Sequence, residues 1–341
     1  MRVARTDSRR ALFWSALLAA ALVVSVTLAV TIGPAQISFS EVWGSIASHV
    51  GAGESPLSLI RDGIVWELRL PRVLTAAAVG AGLAVSGAVM QGLTRNSLAD
   101  PYLLGLSSGA SLGAVSVILL GLTVVLPLAA FLGALAALAA TLLLANALGR
   151  ITPTRTVLAG LAVSSLASAI TSFVIFWTVT GDSYREILSW LLGSLSGARW
   201  PAVAIAGTAI IVVGIPIMLS GRVLDAFAFG DTSAAALGIN VQGTRWVLLV
   251  GTALLTGAMV SVSGAIGFVG LIIPHAVRLI TGPGQRVLLP LSALVGAIFL
   301  VWADTLARTM FDPRELPVGI VTALLGAPVF AILLATKRAT A

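Results

Sequence analysis

Three arginines have the most chemistry open to them. Arg69 and Arg72 stand either side of Leu70-Pro71, and Arg308 lies far along the chain, each at the edge of an apolar run. A guanidinium is planar, permanently charged and pairs bidentately with carboxylate, so three on one rim could take carboxylates from a soluble partner. Each alone is equally explained by an arginine snorkelling from a helix end to the interface. Other reactive groups are sparse. There is no cysteine, hence no disulfide and no thiolate metal site. His49 and His275 are too far apart to indicate a metal centre. His275, following Pro274, reads as a hydrogen-bonded histidine at a helix kink, and His49 as a solvated residue on the outer face. A phosphate-cradling GxxxxGK[ST] loop needs a lysine, and Lys337, the only lysine, follows no such glycine pattern. With no nucleophile–base pair and no nucleotide loop, neither an enzyme nor a self-powered pump is expected. No cofactor or metal is expected in this chain, and any chemical energy must come from another protein.

The elements that position these residues follow from composition. Of 341 residues 58% are hydrophobic and only 10% charged, with a mean hydropathy of +1.06, whereas about a quarter of a soluble domain is charged. Runs of ~20 uncharged residues suffice to cross a bilayer as helices, and their continuity excludes the alternating pattern of a membrane barrel. The net charge of +7 is spread singly between apolar runs. That suits topology signals and anionic lipid, and argues against nucleic acid.

The stretch Arg69 to Gly113 shows the design: an apolar run, a polar break at Thr94-Arg95-Asn96-Ser97, a turn at Asp100-Pro101, then a second Gly/Ser-rich run. Small residues a turn apart, such as Gly82 and Ser86, let a second helix approach. The same reading along the chain predicts an all-α polytopic membrane protein with ten transmembrane helices, near 11–32, 69–92, 103–121, 127–148, 156–178, 201–219, 244–262, 266–281, 287–304 and 316–335. The first run is longer than a signal peptide's ~7–15 apolar residues and is read as a retained helix after a basic tail, 1–10. A surface helix is expected at Ser40–His49 with Ser40 as N-cap and Glu41 in the first turn. The loop 179–200, with Asp182, Arg185 and Glu186 among tryptophan and tyrosine residues, reads as interfacial. Placing the N-terminus inside puts thirteen basic residues inside and seven outside, so both termini are expected to be cytoplasmic. The chain is then one transmembrane domain, 1–341.

A weak internal repeat is visible. Gly80-Ala81 and Val85-Ser86-Gly87-Ala88-Val89 recur as Gly257-Ala258 and Val262-Ser263-Gly264-Ala265-Ile266 at a constant offset of 177 residues. Five spans separate the copies, so the second is inverted in the membrane: an inverted five-helix pseudo-repeat, an architecture common among transporters. An ion-coupled secondary transporter is the rival of another class. Such a carrier keeps ionisable groups inside its spans, whereas here nearly every charge falls at a span edge, His275 and Arg278 lying deepest. A non-transporting scaffold or receptor subunit is a further alternative.

The longest cytoplasmic connection, 220–243, reads SGRVLDAFAFGDTSAAALGINVQG. It predicts a short helix Asp231–Leu237, capped by Asp231 and ended at Gly238. Most connections are shorter, which favours a docking segment over a mere connector.

The run RLPRVLTAAAVGAGLAVSGAVMQGLTRNSLADPYLLGLSSGAS resembles the signature of the FecCD-type permeases, membrane subunits of bacterial ABC importers for ferric siderophores, haem and cobalamin. GDTSAAALGIN, VSGAIGFVGLIIPHAVRLITG and ELPVGIVTALLGAPVFAILL resemble that family too, so the likeness is spread from about residue 66 to 338. The resemblance implies a homodimer in the bacterial inner membrane, two cytoplasmic ABC ATPase subunits that carry ATP-Mg, and a periplasmic substrate-binding protein. It implies that Arg69, Arg72 and Arg308 receive acidic residues of the binding protein. It makes 225–240 the ATPase coupling segment, with Asp225, Phe227, Asp231, Ala235, Leu237, Gly238 and Asn240. It puts Asn96, Leu98 and Thr154 at a cytoplasmic gate, where Ser97 replaces the proline of many members and should loosen the turn. Helices 5 and 10 would line the pathway. Ser164, Ser165, Ser168, Thr171 and Ser172 suit a weakly polar wall for a large ligand, although serines also serve as hydrogen bonds between helices. The expected cargo is an iron chelate, ferric siderophore or haem, with cobalamin as the alternative.

Overall fold

In hydrocarbon every backbone N–H and C=O must be satisfied within the chain, so apolar runs become helices and irregular backbone has to be wrapped in protein. The computed structural model describes residues 2–122, 125–147, 152–178, 183–311 and 313–338, with side chains placed between residues 12 and 332. Among the described residues every regular element is helical. Arg2, Arg5, Arg9, Arg10, Arg150, Asp182 and Lys337 lie outside the described side chains.

Helix α1 (Arg2–Thr31) leads to the short α2 (Phe39–His49), then α3 (Leu59–Gly63), which passes through a π-helical turn (Ile64–Arg69) into α4 (Leu70–Thr94). A 3-10 turn (Pro101–Leu104) precedes α5 (Leu106–Leu119), α6 (Leu126–Ala147) and α7 (Pro153–Thr178). Beyond α8 (Ser183–Leu191), α9 (Trp200–Ala209) is joined by a second π-helical turn to α10 (Ile215–Leu219). The short helices α11 (Gly221–Ala228) and α12 (Asp231–Ala236) follow, then α13 (Val241–Ser263), α14 (Val269–Thr281), α15 (Gln285–Thr309) and α16 (Val318–Arg338). Among the described residues seven helical segments are long and apolar enough to cross a membrane, and three shorter apolar ones lie at Leu106–Leu119, Val269–Thr281 and Val318–Ile332.

Helix α4 is the hub, packed against α13, α14 and α15. Lipid is as apolar as a protein core, so helices associate through close packing and hydrogen bonds rather than by escaping water. A Cβ on Gly80 would overlap the Gly296 carbonyl of α15, and one on Gly87 would overlap the Gly270 carbonyl of α14. These two glycines make the backbone-to-backbone contacts of α4, whereas Gly82 lies nearest the Met259 side chain. Gln91 adds polar glue: its Nε2 donates to the Leu271 carbonyl at 3.0 Å, and its Oε1 accepts from Arg278 at 2.9 Å.

Several expectations shift. The helix expected from residue 69 is continuous from Leu59 to Thr94, 36 residues or about 54 Å, so its first turns must project beyond a ~30 Å hydrocarbon layer. The cap of α2 is Ser38, not Ser40. Ser38 accepts from the Glu41 N–H while its own N–H donates to Glu41, a reciprocal box that satisfies two end donors instead of one. Those Ser38 bonds, the backbone one foremost, hold the Glu41 carboxyl below its ordinary range. The helix expected from residue 266 starts at Val269, because Gly264 (φ +67°) and Phe268 (φ +69°) are left-handed. The irregular stretch between them is half-buried, with Ile266 fully buried and its carbonyl accepting the Tyr102 hydroxyl at 3.0 Å; just before it, Ser194 N–H donates to Ser263 O at 2.8 Å. The two repeat copies therefore differ in shape, since Gly87 lies inside α4 while its counterpart Gly264 ends α13.

Candidate functional site

At the N-terminal end of α4 the three singled-out arginines are drawn into one place. Arg69, Arg72 and Arg308 are only 6%, 8% and 9% exposed. Arg69 donates to the carbonyls of Val30, Thr31 and Ala35 at 3.0, 3.2 and 2.8 Å, tying the end of α1 to α4. Arg72 grips buried Asp304 with two bonds, Nε to Oδ2 at 2.8 Å and Nη2 to Oδ1 at 3.0 Å, and sends Nη1 to Glu315 at 2.7 Å. Arg308, one turn beyond Asp304 on α15, donates to the Ala29 carbonyl and to Thr305. All three line a cavity of about 540 Å³, together with Arg199 and Glu315. Arg199 is exposed; it donates to the neighbouring Ala198 carbonyl at 3.0 Å and, among the described residues, pairs with no carboxylate. Four guanidinium groups thus face two carboxylates. Arg199, Asp304 and Glu315 were not picked out from the sequence as site residues. Their signal was present only as charges at span edges, since Arg72's partners lie 232 and 243 residues away.

At the other end of α4, Arg95 adopts a left-handed conformation (φ +52°) and stops the helix. Asn96 organises the turn, its Oδ1 accepting the Leu98 N–H at 3.0 Å and its carbonyl the Ala99 N–H at 3.1 Å. Helix α7 begins earlier than expected, at Pro153, so exposed Thr154 is in its first turn. Pro153 and Thr156 share a small void with Thr94, which sets the start of α7 beside the end of α4.

The α7 polar residues do not share one environment. Ser165, Ser168 and Ser172 are exposed, and Ser164 edges a groove with Asp100, Tyr102 and Phe268. Thr171 is buried, its hydroxyl bonded to Ala167 O at 2.8 Å, so it lies off the exposed face. Ser168 donates to Ser108 Oγ at 3.2 Å, an interhelical bond.

The 220–243 connection is a hairpin of two helices, α11 and α12, the first of which begins at Gly221, ahead of the 225–240 segment. Gly230 (φ +98°) holds the N-cap position of α12, leaving Asp231 as its first residue. The reason is competition for the carboxylate: Arg245 takes both Asp231 oxygens, at 2.8 and 2.9 Å. Arg245 also lies over the buried Phe227 ring, 5.6 Å from its centroid. Asp225 accepts the Gln285 N–H at 2.7 Å, satisfying one of the free donors at the start of α15. Asn240 caps α13 through the Gly243 N–H. Of the expected coupling residues, Asp225 therefore ties the hairpin to α15, Phe227 and Asp231 tie it to Arg245 of α13, and Asn240 caps α13. Ala235, Leu237 and Gly238 are exposed, joined by Phe229, an exposed aromatic missed in the sequence reading.

Comparison with known proteins supplies the context. The model of the FecCD transport family matches residues 7–336. The cobalamin import system permease protein of Halobacterium salinarum is 41% identical, covering 99% of this chain and 100% of that one. The hemin transport system permease protein of Yersinia pestis is 41% identical, over 80% of this chain and 84% of its own. Among solved structures, an ABC transporter in an inward-facing conformation, provisionally assigned to the metal-chelate type, superposes with a TM-score of 0.82. It is 30% identical and covers 96% of this chain and 99% of that one.

Proposed function

The chain belongs to the FecCD transport family as an ABC importer permease, a multi-pass protein of the cytoplasmic membrane, and we propose that its cargo is an iron chelate, a ferric siderophore or haem. In this reading it pairs with a second copy of itself, two cytoplasmic ATPases and a periplasmic binding protein. The seven long and three shorter apolar helices are its ten spans, arranged as two inverted halves with both termini in the cytoplasm.

The observation that carries this reading is α15. Its 25 residues run about 37 Å, with Gln285 bonded to the hairpin residue Asp225 at one end and Asp304 and Arg308 in the arginine cavity at the other. One helix thus joins a cationic surface, suited to an acidic binding protein, to a hairpin whose exposed Phe229 and Leu237 suit an apolar cleft in an ATPase. Closure of the ATPases would move the hairpin, and the turn at Asn96 and Leu98 beside Thr154 would open toward the cytoplasm. The exposed serines of α7 would then face the path between two copies. The hemin permease and the metal-chelate transporter support an iron chelate. Cobalamin is the second reading, favoured by the full-length match to the cobalamin permease.

The test is to purify the chain from its native membranes in mild detergent, identify what comes with it, and measure ATP hydrolysis. A bound ATPase stimulated by a periplasmic protein is the expected result, and that protein's ligand names the cargo. A chain that transports alone on an ion gradient would sink the reading and restore the secondary carrier.

A further inference from the structure

The two carboxylates on Arg72 are not equivalent. Asp304 is buried and held by two bonds. Glu315, on the link between α15 and α16, uses one oxygen, and its side chain is 46% exposed. We propose that Glu315 is an internal stand-in for a docking carboxylate: it occupies the open corner of the Arg72 guanidinium until an acidic partner displaces it, with Arg199 making the first contact. This rests on the importer reading and adds to it a displaceable residue and a fourth cation.

Exchange is the step such a site permits. Removing the carboxylates from a buried guanidinium would strand its charge away from water. Replacing Glu315 by a partner's Glu or Asp keeps Arg72 satisfied throughout, because Asp304 never leaves and one carboxylate follows another. Released Glu315, already half in water, loses little. Arg199 suits the opening contact because it is the exposed guanidinium of the cavity and spends itself on one neighbouring carbonyl. The surplus of two positive charges draws an acidic surface in and repels a basic one. The competition also sets a threshold: an isolated acidic side chain meets an arginine already occupied, and only a surface that engages Arg199 as well gains enough to evict Glu315.

The test uses a labelled hexaglutamate peptide as the acidic probe, titrated into the full chain in phosphatidylcholine nanodiscs. Glu315→Gln should bind it about 2–5-fold more tightly than the parent, and Arg199→Gln about 2–5-fold more weakly, the range of an exposed ion pair. Hexalysine should not respond in that pattern. Glu315→Gln keeps an amide oxygen for Arg72, and Arg199→Gln changes an exposed side chain, so at least the second variant folds and keeps the idea testable. Unchanged hexaglutamate affinity in either variant overturns the proposal. Neither titration involves an ATPase or the native binding protein, so failed co-purification would sink the importer reading while leaving these affinities to be judged separately.

Discussion

The arginine cavity and the α11–α12 hairpin are both secured by an arginine bound to an aspartate, yet they are finished in opposite ways. In the cavity, the Arg72–Asp304 pair is nearly sealed from solvent, and the rim around it carries surplus positive charge. At the hairpin, Arg245 is buried but Asp231 is half in water, and the surface beyond them is apolar, with Phe229 and Leu237 more than two-thirds exposed. A charged rim attracts at a range set by salt. An apolar surface acts by contact, where affinity comes from a few buried anchors. Under the proposed importer reading, a subunit that releases its delivery protein each cycle but keeps its ATPase attached would use this asymmetry.

The comparison breaks first at the buried pair. Asp304→Asn should destabilise the purified protein by about 3 kcal/mol, because the buried Arg72 guanidinium keeps only the half-exposed Glu315 as counter-charge; thermal unfolding in detergent that matches the parent would show that the buried pair is not structural. Phe229→Ala should leave the melt unchanged and cost about 2 kcal/mol in ATPase affinity, as expected of an aromatic anchor. Undiminished ATPase co-purification would remove the hairpin from the interface. Asp231→Asn should be milder than Asp304→Asn, about 1 kcal/mol on the melt, since its carboxylate is partly hydrated. Equal losses at the two aspartates would erase the contrast between the two ends.

What was legible in the sequence was local or periodic. Apolar runs located the long helices, although the helix expected from residue 69 begins ten residues earlier at Leu59, and motifs spread along the chain carried the family resemblance that the match over residues 7–336 bears out. Partners distant in sequence were illegible. Arg69 and Arg72 could be placed at a helix edge, but their burial depends on Ala35, Asp304 and Glu315, which no local pattern links to them. Asp231 looked like a cap because Asp is a good one; the structure gives its carboxylate to Arg245, 14 residues on. The repeat looked like one motif used twice, yet only the second copy must clear the Trp190 carbonyl, which lies where a Cβ on Gly264 would stand.

The contact between Gly80 and Gly296 has a mechanical consequence. With no side chain between them, α4 and α15 touch backbone to backbone, and a Cβ on Gly296 would already press on Ala84. Sliding one helix past the other by a single residue, about 1.5 Å, would drive side chains into that seam. The Arg72–Asp304 pair pins the same two helices at the N-terminal end of α4. The seam and the pair together resist sliding of α4 along α15, so relative motion falls to joints outside that contact, Pro290 near the start of α15 among them.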